Sequence, residues 1–458
     1  MERETVGRTS YTEQEMRSAY NEKVNDLLLE FNQGKYDKDS ILKVGLELEC
    51  FVVKTPTEPV SEHLRDKITE SLNKINIDSS CELGAAQIEL KTKPIDLGAN
   101  HRTDFITNYL AINNELNSTA RNDGLSILRI GAIPTVSSAD VKKTSQERYK
   151  TVPEFYNMCR KPMTLTKIGK FEKIEIGNAD IVSLFSSIQL NIEAKSSEDA
   201  IDKLNRSFML SPIITSISGN ARFLDYHDTG FADVRMPAWQ ISHETRTPEQ
   251  VDADYETRIG MPNKYFDNIE EYFTRIGQYP FILKDNIERA VPYTIGLNWQ
   301  DVRIKVLENQ KSLVVEFRPI STQPTPEEDL AVGLFYLGRL IWSQANDEPL
   351  TDAITNKRNK DSAMQDGINA TFTSRDCDGN INEFKAYEIL PQELKKAKAG
   401  LLSINYGLYN FNQLFSLLEI RIEERKTPSD NFAEKVASSK SSRKEAIIEA
   451  IYSSNLCS

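Results

Sequence analysis

Lys43-Val-Gly-Leu-Glu-Leu-Glu-Cys-Phe-Val-Val53 is the stretch from which the rest of the chain is read. Side chains along a strand alternate faces, so Val44, Leu46 and Leu48 point one way while Glu47 and Glu49 point the other. Two carboxylates this close repel each other, and burying them without a partner is costly. A cation between them is the simplest remedy, and solvent is the next. The same alternation returns in Gln87-Ile-Glu-Leu-Lys-Thr92, in Ser187-Ile-Gln-Leu-Asn-Ile192 and in Leu313-Val-Val-Glu-Phe-Arg318. A half-exposed sheet ordinarily shows a mixture of Thr, Ser and Lys on its wet face. Here that face carries Glu47, Glu49, Glu89, Gln189, Asn191, Glu316 and Arg318, a set suited to metal and phosphate.

The chain of 458 residues is long enough for a large core and for about two or three domains. A net charge of −12 argues against nucleic acid or an anionic membrane as the main partner. No uninterrupted apolar run is long enough to span a bilayer, and the acidic N-terminus lacks a signal-peptide core. The five cysteines (Cys50, Cys81, Cys159, Cys377 and Cys457) are scattered without zinc-like spacing, which predicts a reduced, cytoplasmic protein. The four histidines (His63, His101, His227 and His243) form no His-x-x-x-His pair. Any metal is therefore expected to be hard and held by oxygen, as Mg²⁺ or Mn²⁺.

In chain order, residues 12–33 read as a helix capped by Thr12 with Glu15 and stopped by Gly34. After the Glu47/Glu49 strand, Leu64, Ile68, Leu72 and Ile75 mark a helix face, and Phe105, Tyr109, Ile112 and Leu116 mark another. Ser126–Ile130 reads as a strand. Residues from Pro134 to about 180 read as polar, irregular cover. Residues 197–217 look helical and lead into the polar loop Ser218–Arg235. Thr325-Pro-Glu-Glu328 starts an apolar helix, with proline at its first position and a capping-box glutamate. From about 346 the pattern changes to short helices with lysine-rich faces. Strands and helices in this rhythm predict an α+β fold rather than βαβ units.

Glu47, Glu49, Glu82, Glu89 and Glu316 are the metal candidates, because carboxylates converging on one concave face can hold divalent ions and, through them, triphosphate oxygens. The alternative is a solvated sheet face. Glu316 and Arg318 share a face, where the arginine can meet a transferring phosphoryl group or simply form a salt bridge. Arg235 and Arg303 each follow Asp-Val and can clamp a carboxylate or phosphate, or lie on the surface. Asn220 sits in a loop able to shape a substrate pocket. Asp376-Cys-Asp-Gly-Asn-Ile381 imitates part of an EF-hand loop, but Ser374 and Lys385 fall at its first and last ligand positions, so a turn is the better reading. No phosphate-cradling glycine motif is present, so any ATP would have to be held by metals on a sheet.

Taken in order, Val44-Gly-Leu-Glu-Leu-Glu49, the Glu82/Glu89 pair, Gln189 with Asn191, the Ser218–Arg235 loop, Trp299-Gln-Asp-Val-Arg303 and Val315-Glu-Phe-Arg318 resemble the second family of glutamate–cysteine ligases. These are carboxylate–amine ligases of the glutamine-synthetase-like fold, and the resemblance covers about residues 40–342. It implies a curved antiparallel sheet forming a funnel-shaped active site backed by helices. The catalytic domain would span 1–345 and a helical C-terminal extension 346–458. It implies transfer of the γ-phosphoryl of ATP to a carboxylate, then attack by an amine. Glu47, Glu49, Glu82, Glu89, Gln189 and Glu316 would hold Mg²⁺ or Mn²⁺, and Gln189 and Asn191 would lie near the nucleotide. Arg303 and Arg318 would contact phosphate as catalytic residues, and Asn220 and Arg235 would lie near a glutamate-like substrate.

The sequence departs from that pattern in four places, one being a tail after 345 that is longer than in compact relatives. Gly131-Ala-Ile-Pro134 lacks a histidine before the proline, Gln189 stands where many relatives have histidine, and Pro319-Ile-Ser321 replaces an aspartate-bearing continuation. The expected partners are a glutamate-like carboxylate and an amino-acid amine, cysteine by default, with another amine or a peptide left open. No nucleic acid or membrane is expected, and a homo-oligomer is left open. Two other functions compete with ligation: nucleotide binding without turnover, and phosphoryl transfer to a guanidinium.

Overall fold

The structure, a computed structural model, describes residues 10–39, 42–97, 104–137, 139–159, 167–172, 174–176, 178–375, 380–404, 408–454 and 456–457. Its centre is a curled antiparallel sheet of nine strands. In chain order these are β1 (Lys43–Thr55), β2 (Glu58–Pro59), β3 (Asp78–Cys81), β4 (Gln87–Lys91), β5 (Ile95–Asp96), β6 (Ser126–Leu128), β7 (Ser187–Ala194), β8 (Val302–Leu307) and β9 (Ser312–Ser321). Their spatial order is β8-β9-β7-β1-β4-β3, with β2, β5 and β6 also pairing with β1. The α+β expectation holds.

Register follows from the alternation. Glu47 lies opposite Gln189 on one side and Lys91 on the other, Glu49 lies opposite Glu89, and Glu316 lies between Arg303 and Asn191. A slip of one residue would turn every one of these polar groups into the core. On the reverse face Leu46, Leu48, Ile88, Leu190, Ile192, Val315 and Phe317 are buried. They pack against the helices behind the sheet, and the Phe317 ring stacks on Tyr336 at 3.7 Å between centroids.

The first six helices in chain order are α1 (Glu13–Asn32), α2 (Glu62–Lys74), α3 (Asp104–Asn122), α4 (Glu147–Cys159), α5 (Ser197–Ser218) and α6 (Arg235–Ser242). Later in the chain come α7 (Pro326–Ala345), α8 (Ala353–Asp366), α9 (Ala386–Ser403) and α10 (Leu408–Glu424), besides shorter helices. The capping boxes at Thr12/Glu15 and Thr325/Glu328 form as their sequences require. Helix α4 falls in the stretch expected to be irregular. Its interior Pro153 argues against a helix locally, and contacts with distant parts of the chain hold it, among them Tyr149 on the Cys81 carbonyl at 3.1 Å and the Ala179 N–H on Asn157 at 2.9 Å.

Two irregularities position the site. The register of β9 on β7 shifts between Phe317 and Ile320, so Pro319, which has no N–H to give a ladder, sits at a bulge. On its other side Arg318 stays in register with β8, its backbone N–H bonding to the Asp301 carbonyl at 2.9 Å.

The second concerns the region after 346, where the helices are longer and more deeply packed than the lysine pattern predicts. Helix α9 lies so close to α7 that a Cβ on Gly338 or on Gly400 would collide with the other helix's backbone. Lys360 of α8 is buried. Strands Thr371–Arg375 and Ile381–Lys385 pair, while residues 376–379, where a turn is expected, lie outside the described residues.

Candidate active site

The polar face of the sheet floors a cavity of about 680 Å³ lined by Glu47, Glu49, Glu82, Glu89, Gln189, Arg303 and Arg318. Carboxylate oxygens of Glu49, Glu82 and Glu89 lie within 4.8 Å of one another. Glu49 is held from one side: its Oε2 accepts from the Ser187 N–H and hydroxyl, both at 2.9 Å, and its Oε1 accepts from Gln189 Nε2 at 2.9 Å. Glu89 accepts from the Ser80 hydroxyl at 3.0 Å and pairs with Lys91 at 2.7 Å. The Glu82 carboxylate makes no hydrogen bond or ion pair among the described residues.

Burial, aided by the charge of Glu89, pushes Glu49 up to about 7. Burial and the charge of Glu49 do the same to Glu82. Three hard oxygen donors that repel one another are the donor set a Mg²⁺- or Mn²⁺-sized ion takes, so these residues fit such an ion.

The other end of the face is arranged differently. Glu316 is fully buried, yet it pairs with Arg303, Lys305 and Arg318, the last at 2.9 Å. Burial alone would raise its carboxyl, but Arg303, Lys305 and Arg318 hold it well below the usual range. Glu47 accepts from Lys305 Nζ and from Asn191 Nδ2, both at 3.0 Å. Burial and Glu316 raise Glu47, against the pull of Lys305. Gln189 is used on both sides, its amide N–H on Glu49 and its carbonyl on Arg318 at 2.8 Å. The six residues expected as metal ligands thus divide. Glu49, Glu82 and Glu89 converge on one another, whereas Glu47 and Glu316 are tied to amide and cationic side chains, because β8 and β9 bring three cations to that end, and Gln189 bridges Glu49 and Arg318.

Arg303 keeps its Nη1 on the Ile295 and Gly296 carbonyls. Arg235 is buried and braced by Asp233 and by the Ser186 and Pro319 carbonyls at 2.9 and 2.8 Å. It reaches a small recess below the main cavity together with Glu49, Trp239, Trp299, Arg318 and Lys360. Asn220 is not part of either lining. It is buried and donates to the Thr322 carbonyl at 2.8 Å, joining two loops.

A profile of glutamate-cysteine ligase family 2 matches residues 43–399, more than half of the chain. The chain belongs to glutamate-cysteine ligase family 2. A chloroplastic glutamate–cysteine ligase of Medicago truncatula is 25% identical over 187 residues, 40% of this chain and 33% of that protein. The match thus spans about a third of the length of that relative. The crystal structure of glutamate–cysteine ligase from Francisella tularensis in complex with AMP superposes with a TM-score of 0.57 at 15% identity, over 92% of this chain and 89% of that one. A bifunctional glutathione synthetase from Pasteurella multocida gives 0.53 at 11% identity, over 93% of this chain and 54% of that one. These two likenesses establish a shared fold.

Several residues of this glutamate-cysteine ligase family 2 member were not foreseen. Lys305 lies two positions after Arg303 on the same strand face, a signal present in the sequence. Arg148 and Tyr149 line the cavity from α4, and nothing local announces them. Trp239, His243 and Trp299 line it as neighbouring rings, Trp239 and Trp299 at 5.6 Å and His243 and Trp299 at 5.2 Å. Lys360 of α8 reaches Asp301 at 2.7 Å and the Ser211 and Thr215 hydroxyls at 2.9 and 2.6 Å, beneath the strand that carries Arg303. Cys50, Cys81 and Cys457 are unpaired, whereas the side chains of Cys159 and Cys377 and the residue His101 lie outside the described structure. No helix among the described residues is long and apolar enough to cross a membrane.

Proposed function

We propose that this protein is an ATP-dependent carboxylate–amine ligase that activates a glutamate-like carboxylate for attack by an amino-acid amine. The observation that carries the reading is one cavity in which three converging carboxylates face Arg303 and Arg318. Glu49, Glu82 and Glu89 would hold Mg²⁺ or Mn²⁺, which when bound offsets the charge of the triphosphate. Joining two anions is the difficulty of such a reaction, and fixed positive charge aimed at the transferring group lowers it. Arg318 keeps its Nε and Nη2 free of protein acceptors among the described residues, as Arg303 keeps its Nη2, so both have donors left for phosphoryl oxygens.

In the first step a carboxylate oxygen bonds to the γ-phosphorus of ATP as the bond to the β-bridging oxygen breaks, giving an acyl phosphate and ADP. In the second, the amine nitrogen bonds to the acyl carbon, phosphate leaves, and the amine loses its proton. Trp239, His243 and Trp299 give that cavity an aromatic wall, beside which an acyl phosphate would form. Arg235 orders the recess beneath.

Protein mixed with MgATP, glutamate and cysteine should give ADP with γ-glutamylcysteine. A wider amine panel with hydroxylamine trapping identifies other acceptors. Nucleotide binding without ADP from any panel member would refute ligation in favour of a binding role, and an acid-labile phosphorylated guanidine would refute it in favour of a kinase. The expected compartment is the cytoplasm.

A further inference from the structure

Lys305 is placed unlike an ordinary strand lysine. Its ammonium donates to Glu47 Oε1 at 3.0 Å and to Asn191 Oδ1 at 3.1 Å, and it forms an ion pair with the buried Glu316 Oε1. Those acceptors come from three different strands, β1, β7 and β9, and Lys305 itself comes from a fourth. Asn191 is fixed in turn, because its amide N–H donates to Glu47 at 3.0 Å. A divalent ion seeking Glu47 and Glu316 as ligands would have to expel an ammonium already paired with both carboxylates.

Charge separates the two ends of the basin in the same way. Around Glu47 and Glu316 stand Arg303, Lys305 and Arg318, so that end carries more positive than negative charge. Among the described residues, the cation directly paired with Glu49, Glu82 or Glu89 is Lys91, on Glu89. That end, with its carboxylates ionised, is left with an excess of negative charge that a single divalent ion neutralises. The cationic end is left to meet an anion.

We propose that Lys305 is a built-in cation that takes the place of a second divalent ion, so that the basin binds one metal, at Glu49, Glu82 and Glu89, and offers its Lys305–Arg303–Arg318 end to phosphoryl oxygens. This rests on the reading that the basin takes a divalent ion at all, and it makes Lys305 a positioning residue for the carboxylates of β1 and β9.

The test is the stoichiometry of Mn²⁺ binding to the full chain without nucleotide, followed by the electron paramagnetic resonance of free Mn²⁺. Wild-type protein should bind one ion, and Glu82→Gln should weaken that ion at least about tenfold. Lys305→Gln, which keeps most of the length of the stem and removes the charge, should gain a second ion at least about tenfold tighter than any second ion on the wild type. Lys305→Arg should remain at one. Two ions of similar affinity on the wild type would overturn the proposal and leave the metal reading standing. One ion on both wild type and Lys305→Gln would overturn the role given to Lys305. No ion on any form would remove the metal reading itself. Circular dichroism checks each variant's fold, and should Lys305→Gln fail to fold, Lys305→Met, which also removes the charge, is put to the same measurement with the same two outcomes.

Discussion

Glu82→Gln should make the metal-free protein more stable and the metal-binding protein worse. Glu82 and Glu49 are both pushed up to about 7, Glu82 by burial and by Glu49. In the unfolded chain each ionises near the ordinary carboxylate value, so between that value and 7 the folded state holds more protons than the unfolded one. Stability from the held proton is therefore present at low pH and lost as pH rises through about 7. Every tenfold change in the ionisation equilibrium between folded and unfolded chain is worth about 1.4 kcal/mol. The ionised Glu82 accordingly withholds up to about 3 kcal/mol at pH 8, which partial exposure reduces to about 1–2 kcal/mol.

Glutamine has no charge to desolvate, and Glu82 has no hydrogen bond or ion pair to lose among the described residues. The variant should gain that about 1–2 kcal/mol at pH 8 in the presence of a chelator, and most of the gain should vanish by pH 5. Removing one of three anionic ligands should at the same time weaken Mn²⁺ by about 30- to 100-fold, or about 2–3 kcal/mol. Urea unfolding at both pH values and calorimetric titration of Mn²⁺ measure the two effects. A variant less stable than wild type at pH 8 without metal, or one with unchanged Mn²⁺ affinity, would refute the reasoning.

Three further outcomes are expected. Mn²⁺ affinity should rise as pH increases through about 7, with protons released on binding, measured by titration calorimetry in buffers of different ionisation enthalpy; a flat profile between pH 6 and 8 would count against it. Lys360→Met breaks a buried pair with Asp301 and should cost about 3–5 kcal/mol in urea unfolding, while adding Asp301→Leu should recover much of that loss. Gly400→Ala puts a methyl group into the backbone of α7 and should cost about 1–3 kcal/mol; unchanged unfolding would mean that α9 does not pack there.

Period-two alternation around Glu47 and Glu49 was enough to specify the strands, which face of each is wet, and the company of carboxylates and arginines on that face, because a strand's geometry assigns alternate residues to opposite sides whatever the rest of the chain does. Chain order added the family. It did not determine which carboxylates share an ion and which share an ammonium, because that depends on which strands are neighbours: β1, β7, β8 and β9 gather Glu47, Asn191, Lys305 and Glu316 from far apart in sequence. Nor could it reveal that α4, in spite of Pro153, covers the cavity, or that a lysine at position 360 lies beneath the strand bearing Arg303. A lysine in a polar helix reads as a solvated face until tertiary packing puts a buried aspartate beside it.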